Sequence, residues 1–573
     1  MRQRLMLATL PLALVLAACS REAAEPAAPP AAAEPTASAI PASDHTFSPE
    51  LSTADWAEHV RALSSDEFEG RAPGGRGETL TVEYLIQQFK AIGLEPGNGD
   101  SWTQDVPMVV TTASPDTRLQ IRIGDTELVP VYGPEMAIHT RSGEAEVQVA
   151  DSEVIFVGYG VNAPELGWND YEGLDVTGKT VVMLINDPGF HAADESLFEG
   201  RRMTYYGRWT YKFEEAARQG AAMALIVHDD AGASYPWSVV ENGWTGPQFD
   251  LPPSVDPEPR LPLQGWISGA TAEQLFAAAG HDFMAQRAAA NQRGFRALPL
   301  DARASAEVRS SVREGSSQNV LARLPGRALA DETVIYMAHW DHMGRNFSPG
   351  GDQIFNGAVD NASGIAGILE IAQQFAAGPR PQRSLLFLAL TLEESGLLGS
   401  RYYVANPVVP LHKTVAGINL DAMSVIGRVR DFTVIGYGSS ELEDILRPIA
   451  EGQGRILRPE SSPESGFYFR SDHFNFAKAG VPALYAKGGV DHFEKGEEHG
   501  KALAADYTAN RYHKPGDEFD PNWDLVGVLE DLQALHQVGA ELANSEAWPQ
   551  WYPTSAFRAA REAQFEAART QGD

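Results

Sequence analysis

Acids and imidazoles recur in this sequence directly after apolar runs. Val334–Ala338 is followed by His339-Trp340-Asp341-His342, Ser384–Thr391 by Leu392 and then Glu393-Glu394, and Val415–Leu420 by Asp421. Asp360 and Asn361 precede a helical pattern that begins at Ile365, and a late loop carries Tyr512-His513-Lys514-Pro515-Gly516-Asp517. Where strands alternate with helices, ligands bind beyond the carboxyl ends of the strands. These groups therefore converge on one rim. So many acids at one rim repel and shift one another's pKa unless cations hold them together. Two divalent cations bring about +4, which three ligand carboxylates and a hydroxide return to near zero. The chain has 1 cysteine, which excludes a cysteine-built zinc site and a disulfide framework. Imidazole with carboxylate suits two Zn2+ ions first, with Co2+ or Mn2+ as alternatives. A hydroxide between two metals is a good nucleophile near neutral pH. The adjacent pair Glu393-Glu394 then offers one ligand and one general base. Ser471-Asp472-His473 invites a Ser-His-Asp reading, but neighbours on an extended segment point opposite ways, so no triad forms there.

The elements that must position these groups read as strand and helix in alternation from about 318 onward. Val334–Ala338, Ser384–Thr391, Val415–Leu420 and Val481–Tyr485 are nearly continuous apolar strands. Ile365, Ile368, Leu369, Ala372 and Phe375 mark a helix, and Leu525 to Leu542 a long closing one. Continuous apolar strands separated by helices imply an α/β fold, a mixed, mostly parallel sheet sandwiched by helices. Two helices near 54–63 and 79–92 lead into it. The Gly-rich stretch Phe68 to Gly77 has no preceding strand and no GK[ST] ending, which argues against a phosphate cradle. Between about 118 and 300 short β-type runs appear with few residues at metal-ligand spacing, as in a β-rich module with its own core and no chemistry of its own.

Five motifs in this order resemble the co-catalytic zinc exopeptidase family, which includes secreted leucyl aminopeptidases, glutamate carboxypeptidase and the transferrin receptor. They are Ala338–His342, Gly357–Gly364, Glu393–Ser400, Asn419–Ala422 and Tyr512–Asp517. The resemblance implies a phosphorylase/hydrolase-like sheet. It implies His339 and Asp421 on one metal, Glu394 and His513 on the other, and Asp360 on both. Glu393 would be the catalytic base, and Asp341 would orient a ligand histidine through its other ring nitrogen. A cis peptide after Asp360 would follow. His342 and His473 are candidate substrate-lining residues. Val157–Val161, Asp175–Lys179 and Glu215–Gly220 resemble the protease-associated domain that this family often inserts.

The implied activity is removal of N-terminal residues from peptides through a metal-bridging hydroxide and a Glu general base. The alternatives are a carboxypeptidase of the same family, which needs basic residues such as Arg401 or Arg470 beside the site, and a glutaminyl cyclase-like acyltransferase using one zinc. The expected organisation is a signal peptide over 1–19, an Ala/Pro-rich disordered tether over 20–48 and catalytic segments over 49–125 and 301–545. A protease-associated insert covers 126–300 and a helical tail 546–573. Arg2 and Arg4 precede an apolar run ending at Leu16-Ala17-Ala18-Cys19, which resembles a bacterial lipobox. A lipid on Cys19 would be the one membrane contact, placing the protein in the cell envelope on the outer membrane, facing the periplasm. With 45 Lys and Arg against 77 Asp and Glu, the net charge of -32 argues against nucleic-acid partners.

Overall fold

Every position of the strand Arg383–Leu390 and of the strand Thr414–Asn419 is buried, which is what an apolar run without alternation requires of a sheet covered on both faces. The computed structural model describes residues 45–345 and 351–571. The expected signal peptide, Cys19 and most of the tether lie outside the described residues. Strands Arg383–Leu390, Leu329–His339, Thr414–Asn419 and Ala483–Gly488 pair in that order, all parallel. Antiparallel strands border them, Leu298–Leu324 on one side and Asp431–Val434 on the other. The sheet is therefore mixed and mostly parallel, as its sequence predicts. Helices Thr53–Leu63, Arg76–Ile92, Ser363–Ala377 and Val526–Asn544 contribute their apolar faces to one core with the sheet. Among the described residues no helix is long and apolar enough to cross a membrane.

The insert has its own cores, drawn from Ala113 to Val308. Its parallel strands Glu146–Phe156, Thr180–Leu184, Met223–Val227 and Leu263–Ile267 carry helices such as Trp209–Arg218 between them, so the module is α/β rather than simply β-rich. The 27-residue strand Leu298–Leu324 serves both sheets. Its first half pairs with Arg118–Ile123 and Glu146–Phe156 in the insert, and its last residues pair with Arg383–Leu390.

The C-terminal helix has no role visible in its sequence, yet it is docked. From Arg558–Gln571, Arg561 sends Nη1 to the Leu411 carbonyl at 3.0 Å and Nη2 to the Thr414 carbonyl at 2.7 Å, closing the start of a central strand.

Glu370 couples the N-terminal helix to the core. It accepts a hydrogen bond from the Ser52 amide at 2.8 Å, at the cap of Thr53–Leu63. Burial, with a smaller push from Asp55, raises its carboxyl to about 8 despite that bond. An unfolded glutamate ionises near 4.3. Between those values the folded chain keeps a proton that the unfolded chain has lost, so stability is full below about pH 4.3 and falls as pH rises toward 8. Glu370→Gln should flatten the fall in urea-unfolding stability between pH 5 and 8, by up to about 1.4 kcal/mol per pH unit. Parallel stability curves for variant and parent would contradict this.

Candidate metal centre

The parallel strands place their carboxyl ends on one edge, and the acids gather there. His339 ends its strand. Glu393 and Glu394 follow Arg383–Leu390, and Asp421 follows Thr414–Asn419. Asp360 stands in the turn before Ser363–Ala377, and its peptide bond to Asn361 is cis. Gly357 opens that turn at φ 56, and a Cβ there would meet the Asp360 carbonyl at 2.2 Å and the His342 ring at 2.6 Å. Three residues without that freedom also adopt left-handed backbone here: Leu392 (φ 57), Ala422 (φ 50) and His513 (φ 54). Each costs about 1–2 kcal/mol, as is common where a site dictates the backbone.

His339 Nε2 faces Asp360 Oδ1 at 3.3 Å, Asp421 Oδ1 at 3.7 Å and Glu393 Oε2 at 3.9 Å. His513 Nε2 faces Asp360 Oδ2 at 3.1 Å and Glu394 Oε2 at 3.2 Å. The two imidazoles, remote in sequence, thus meet across one carboxylate. Two groups among the described residues could hold a metal ion, His339 with Asp360 and Asp421, and His342 with Asp360 and Glu394. His342 Nδ1 lies 2.6 Å from Glu394 Oε1, and its ring is 5.8 Å from that of His513. Both imidazoles therefore flank Glu394. His513 Nε2 is the nitrogen that faces Asp360 as well.

The donor set fits cations. His339 Nδ1 is 3.1 Å from the Asp341 main-chain oxygen, which can only accept, so Nδ1 carries a proton. In the neutral ring Nε2 then points a lone pair at three carboxylates, an arrangement that needs a proton or a metal between them. The electrostatics say the same. Burial pushes His339 down, yet Glu393, Asp360 and Asp421 outweigh it and hold the imidazole well above its usual range. Burial would raise Asp360, but His339 and His513 hold it well below. Glu393 goes the other way. Burial raises it first, and Glu394, Asp421 and Asp472 add to the rise against His339.

Supporting residues hold the set in place. The carboxylate of Asp341 does not reach the His339 ring closely, at 3.9 Å. It accepts instead from the main-chain N–H of Glu393 at 3.1 Å and of Glu394 at 3.4 Å, so it positions the glutamate pair, and only its carbonyl orients the histidine. Ser471 Oγ donates to Asp421 Oδ2 at 2.5 Å and accepts from Asn419 at 2.8 Å. Asp517 accepts from the amides of Val359 and Asp360 at 3.1 and 3.0 Å. Arg71 is fully buried and donates to four carbonyls, those of Leu63, Trp340, Asn356 and Gly357. It ties the loop after His339 to the turn before Asp360. Nothing in its Gly-rich surroundings marks it as part of the site. Asp517 stood in a recognised motif without a role.

Two residues expected on the substrate wall are buried. His473 is wholly buried, packed edge-on against Tyr468 at 4.6 Å, with both ring nitrogens unpartnered. Burial lowers it to about 3, as for a core imidazole kept neutral. His342 is likewise buried and spends its Nδ1 on Glu394. The cleft wall is built by His339, Asp360, Glu393, Glu394, Asp421 and His513 on one side. Insert residues line it too, among them Arg141, Arg208, Trp209 and Tyr235.

Comparison with known proteins shows what this rim is similar to. A curated relative from Mycobacterium tuberculosis, named a probable lipoprotein aminopeptidase LpqL, is 28% identical over 241 residues, covering 40% of this chain and 44% of the relative. Leupeptin-inactivating enzyme 1 of Streptomyces exfoliatus is 32% identical over 178 residues, covering 30% and 36%. The chain thus spans less than half the length of these curated relatives. Among solved structures, an aminopeptidase from Aneurinibacillus sp. strain AM-1 superposes with a TM-score of 0.46 at 18% identity, over 87% of this chain and 96% of that one. The family model that matches is that of peptidase family M28, over residues 319–536. The stretch that carries every candidate ligand and the candidate base is therefore the one that is similar to peptidase family M28.

Proposed function

We propose that the chain is a zinc-dependent aminopeptidase acting on peptides. One observation carries the reading: Asp360 turns Oδ1 to His339 and Oδ2 to His513, with Glu393 beside the first imidazole and Glu394 beside the second. In this reading His339 and Asp421 hold one Zn2+, Glu394 and His513 the other, and Asp360 both. When bound, the ions supply Lewis-acid polarisation of the scissile carbonyl and acidify water.

The chain's own residues do the rest. Glu393 takes the proton of the attacking water and delivers it to the leaving amine. Asp341 holds the main chain of Glu393 and Glu394, and Arg71 with Asp517 holds the Asp360 turn. In this reading the free amino terminus of the peptide sits against the metal site. Of the two basic residues named for a carboxypeptidase, Arg401 is committed to Asp250 at 3.3 Å and to Asp256, while Arg470 lines the cleft and donates to Ser234 Oγ at 3.1 Å. Two ligand groups sharing Asp360 weigh against a one-zinc cyclase. A lipid on Cys19 would hold the enzyme at the bacterial outer membrane, facing the periplasm, in keeping with the lipoprotein relative's name.

Zinc content measured beside a panel of aminoacyl-anilides and their N-acetylated counterparts tests this. About two zinc ions per chain, with hydrolysis confined to free amines, is the expected result. A single ion, or equal cleavage of the acetylated set, would overturn it.

A further inference from the structure

The proposed mechanism gives His342 no task, yet its imidazole is held as firmly as any ligand. The side chain is 0% exposed. Its main-chain N–H donates to the Arg71 carbonyl at 3.4 Å. The ring lies against Gly357, where a Cβ would come within 2.6 Å of it. It meets the ring of His513 edge-on, with centroids 5.8 Å and planes 66° apart. Among the described residues its one side-chain hydrogen bond is from Nδ1 to Glu394 Oε1 at 2.6 Å, and Nε2 is buried without a partner.

Two roles suit an imidazole in that place, ligand or donor, since His342 with Asp360 and Glu394 forms one of the groups that could hold an ion. The distances separate them. Two ligands on one tetrahedral zinc, each about 2.0–2.1 Å from the ion, stand about 3.3 Å apart. The ligand pairs of the reading above have that spacing. His339 to Asp360 is 3.3 Å, His513 to Asp360 3.1 Å and His513 to Glu394 3.2 Å. At 2.6 Å, His342 Nδ1 and Glu394 Oε1 are too close to flank one ion and match a short hydrogen bond to a carboxylate. An ionised carboxylate only accepts, so Nδ1 donates. That occupies Oε1 and leaves Oε2, the oxygen that faces His513, for an ion. The other ligands have comparable partners: the Asp341 carbonyl on His339, Ser471 on Asp421 and Asp517 on the amide of Asp360. His513 needs support most, for its side chain is 36% exposed against 2% for His339.

We propose that His342 is the positioning residue of the second metal site, donating to Glu394 Oε1 so that this glutamate presents Oε2 alone, and buttressing the His513 ring. This deepens the aminopeptidase reading and rests on its ligand set. A glutamate that offers one oxygen rather than two leaves a position open at the ion, as a catalytic zinc requires. Glu394 and His513 come from distant parts of the chain, and one buried ring holds both.

Zinc calorimetry on the metal-free full chain tests this, with His342→Leu and His342→Asn beside the parent. Leu fills much of the space and cannot donate, whereas Asn can place an N–H where Nδ1 stands. The parent should show two zinc-binding steps. His342→Leu should weaken one of them by about 10–100-fold, the usual cost of losing a group that orients a ligand, and leave the other within about twofold. His342→Asn should return the weakened step to within about threefold of the parent, a rescue that a merely space-filling role would not give. Melting curves of the metal-free chains confirm that each variant is folded. Should His342→Leu not fold, His342→Ala, which also lacks a donor, takes its place. Two steps as tight as in the parent, both steps weakened alike, or an Asn variant no better than the Leu variant would overturn the role of His342 and leave the ligand set standing. A parent chain that takes up fewer than two ions fails at the ligand set itself, and the inference falls with it.

Discussion

Exchange of Glu393 for Gln is expected to leave two zinc ions bound while lowering kcat on a leucyl-anilide by about 10²–10⁴-fold, the contribution typical of a positioned general base. Retention of metal follows from position. Glu393 Oε2 is the most distant of the three carboxylate oxygens facing His339 Nε2, at 3.9 Å, and belongs to neither candidate ligand group. Gln keeps the length of the side chain and the main-chain N–H that binds Asp341. What it loses is a site for the proton that must leave water and reach the amine. The change should therefore fall on kcat and spare KM, since the amide still fills the same space. Atomic absorption and steady-state kinetics on one preparation give both numbers. Turnover within tenfold of the parent would remove Glu393 from the reaction.

Asp360→Ala should cost both ions. Asp360 is the residue common to the two ligand groups, whereas His339 and Asp421 serve one of them and Glu394 the other. Zinc is expected to fall well below one per chain and hydrolysis to background, while Asp421→Ala retains about one. Thermal melting adds a second measure. A ligand at 1,000 times its Kd stabilises the folded state by about 4 kcal/mol. Chelation should therefore lower the midpoint of the parent and leave that of Asp360→Ala where it is. A variant that still carries two ions would show that the imidazole–carboxylate contacts at Asp360 are not ligation geometry.

Three candidate ligands, His339, Glu394 and Asp421, are legible in the sequence because each follows an apolar run, whereas Asp360 stands before a helix and His513 in a late loop, and their roles rest on the resemblance alone. The supports of the centre are not legible. Arg71 acts on carbonyls of Trp340, Asn356 and Gly357, far along the chain, and main-chain acceptors leave no trace in side-chain types. The same blindness hid the division of labour in Asp341, whose carbonyl serves His339 while its carboxylate serves Glu393 and Glu394. Left-handed backbone at Leu392, Ala422 and His513 is equally silent, since none of these residues favours it. His473 misled through its neighbours. Its motif suggested a lining residue, but Tyr468 and Tyr485 enclose it. The Gly-rich stretch near 70 has no GK[ST] ending. Its packing reason emerged only in three dimensions, where a Cβ on Gly70 would meet the carbonyls of Gly344 and Phe355 at 2.5 Å.

The strand Leu298–Leu324 gives the cleft a mechanical character. One unbroken backbone runs from the ladder of the insert into the ladder beside the metal centre. Between the two ladders the strand stays paired with Thr103–Ala113, so the connection is hydrogen-bonded ribbon rather than free linker. The insert is thus girder-braced to the body rather than hung from it.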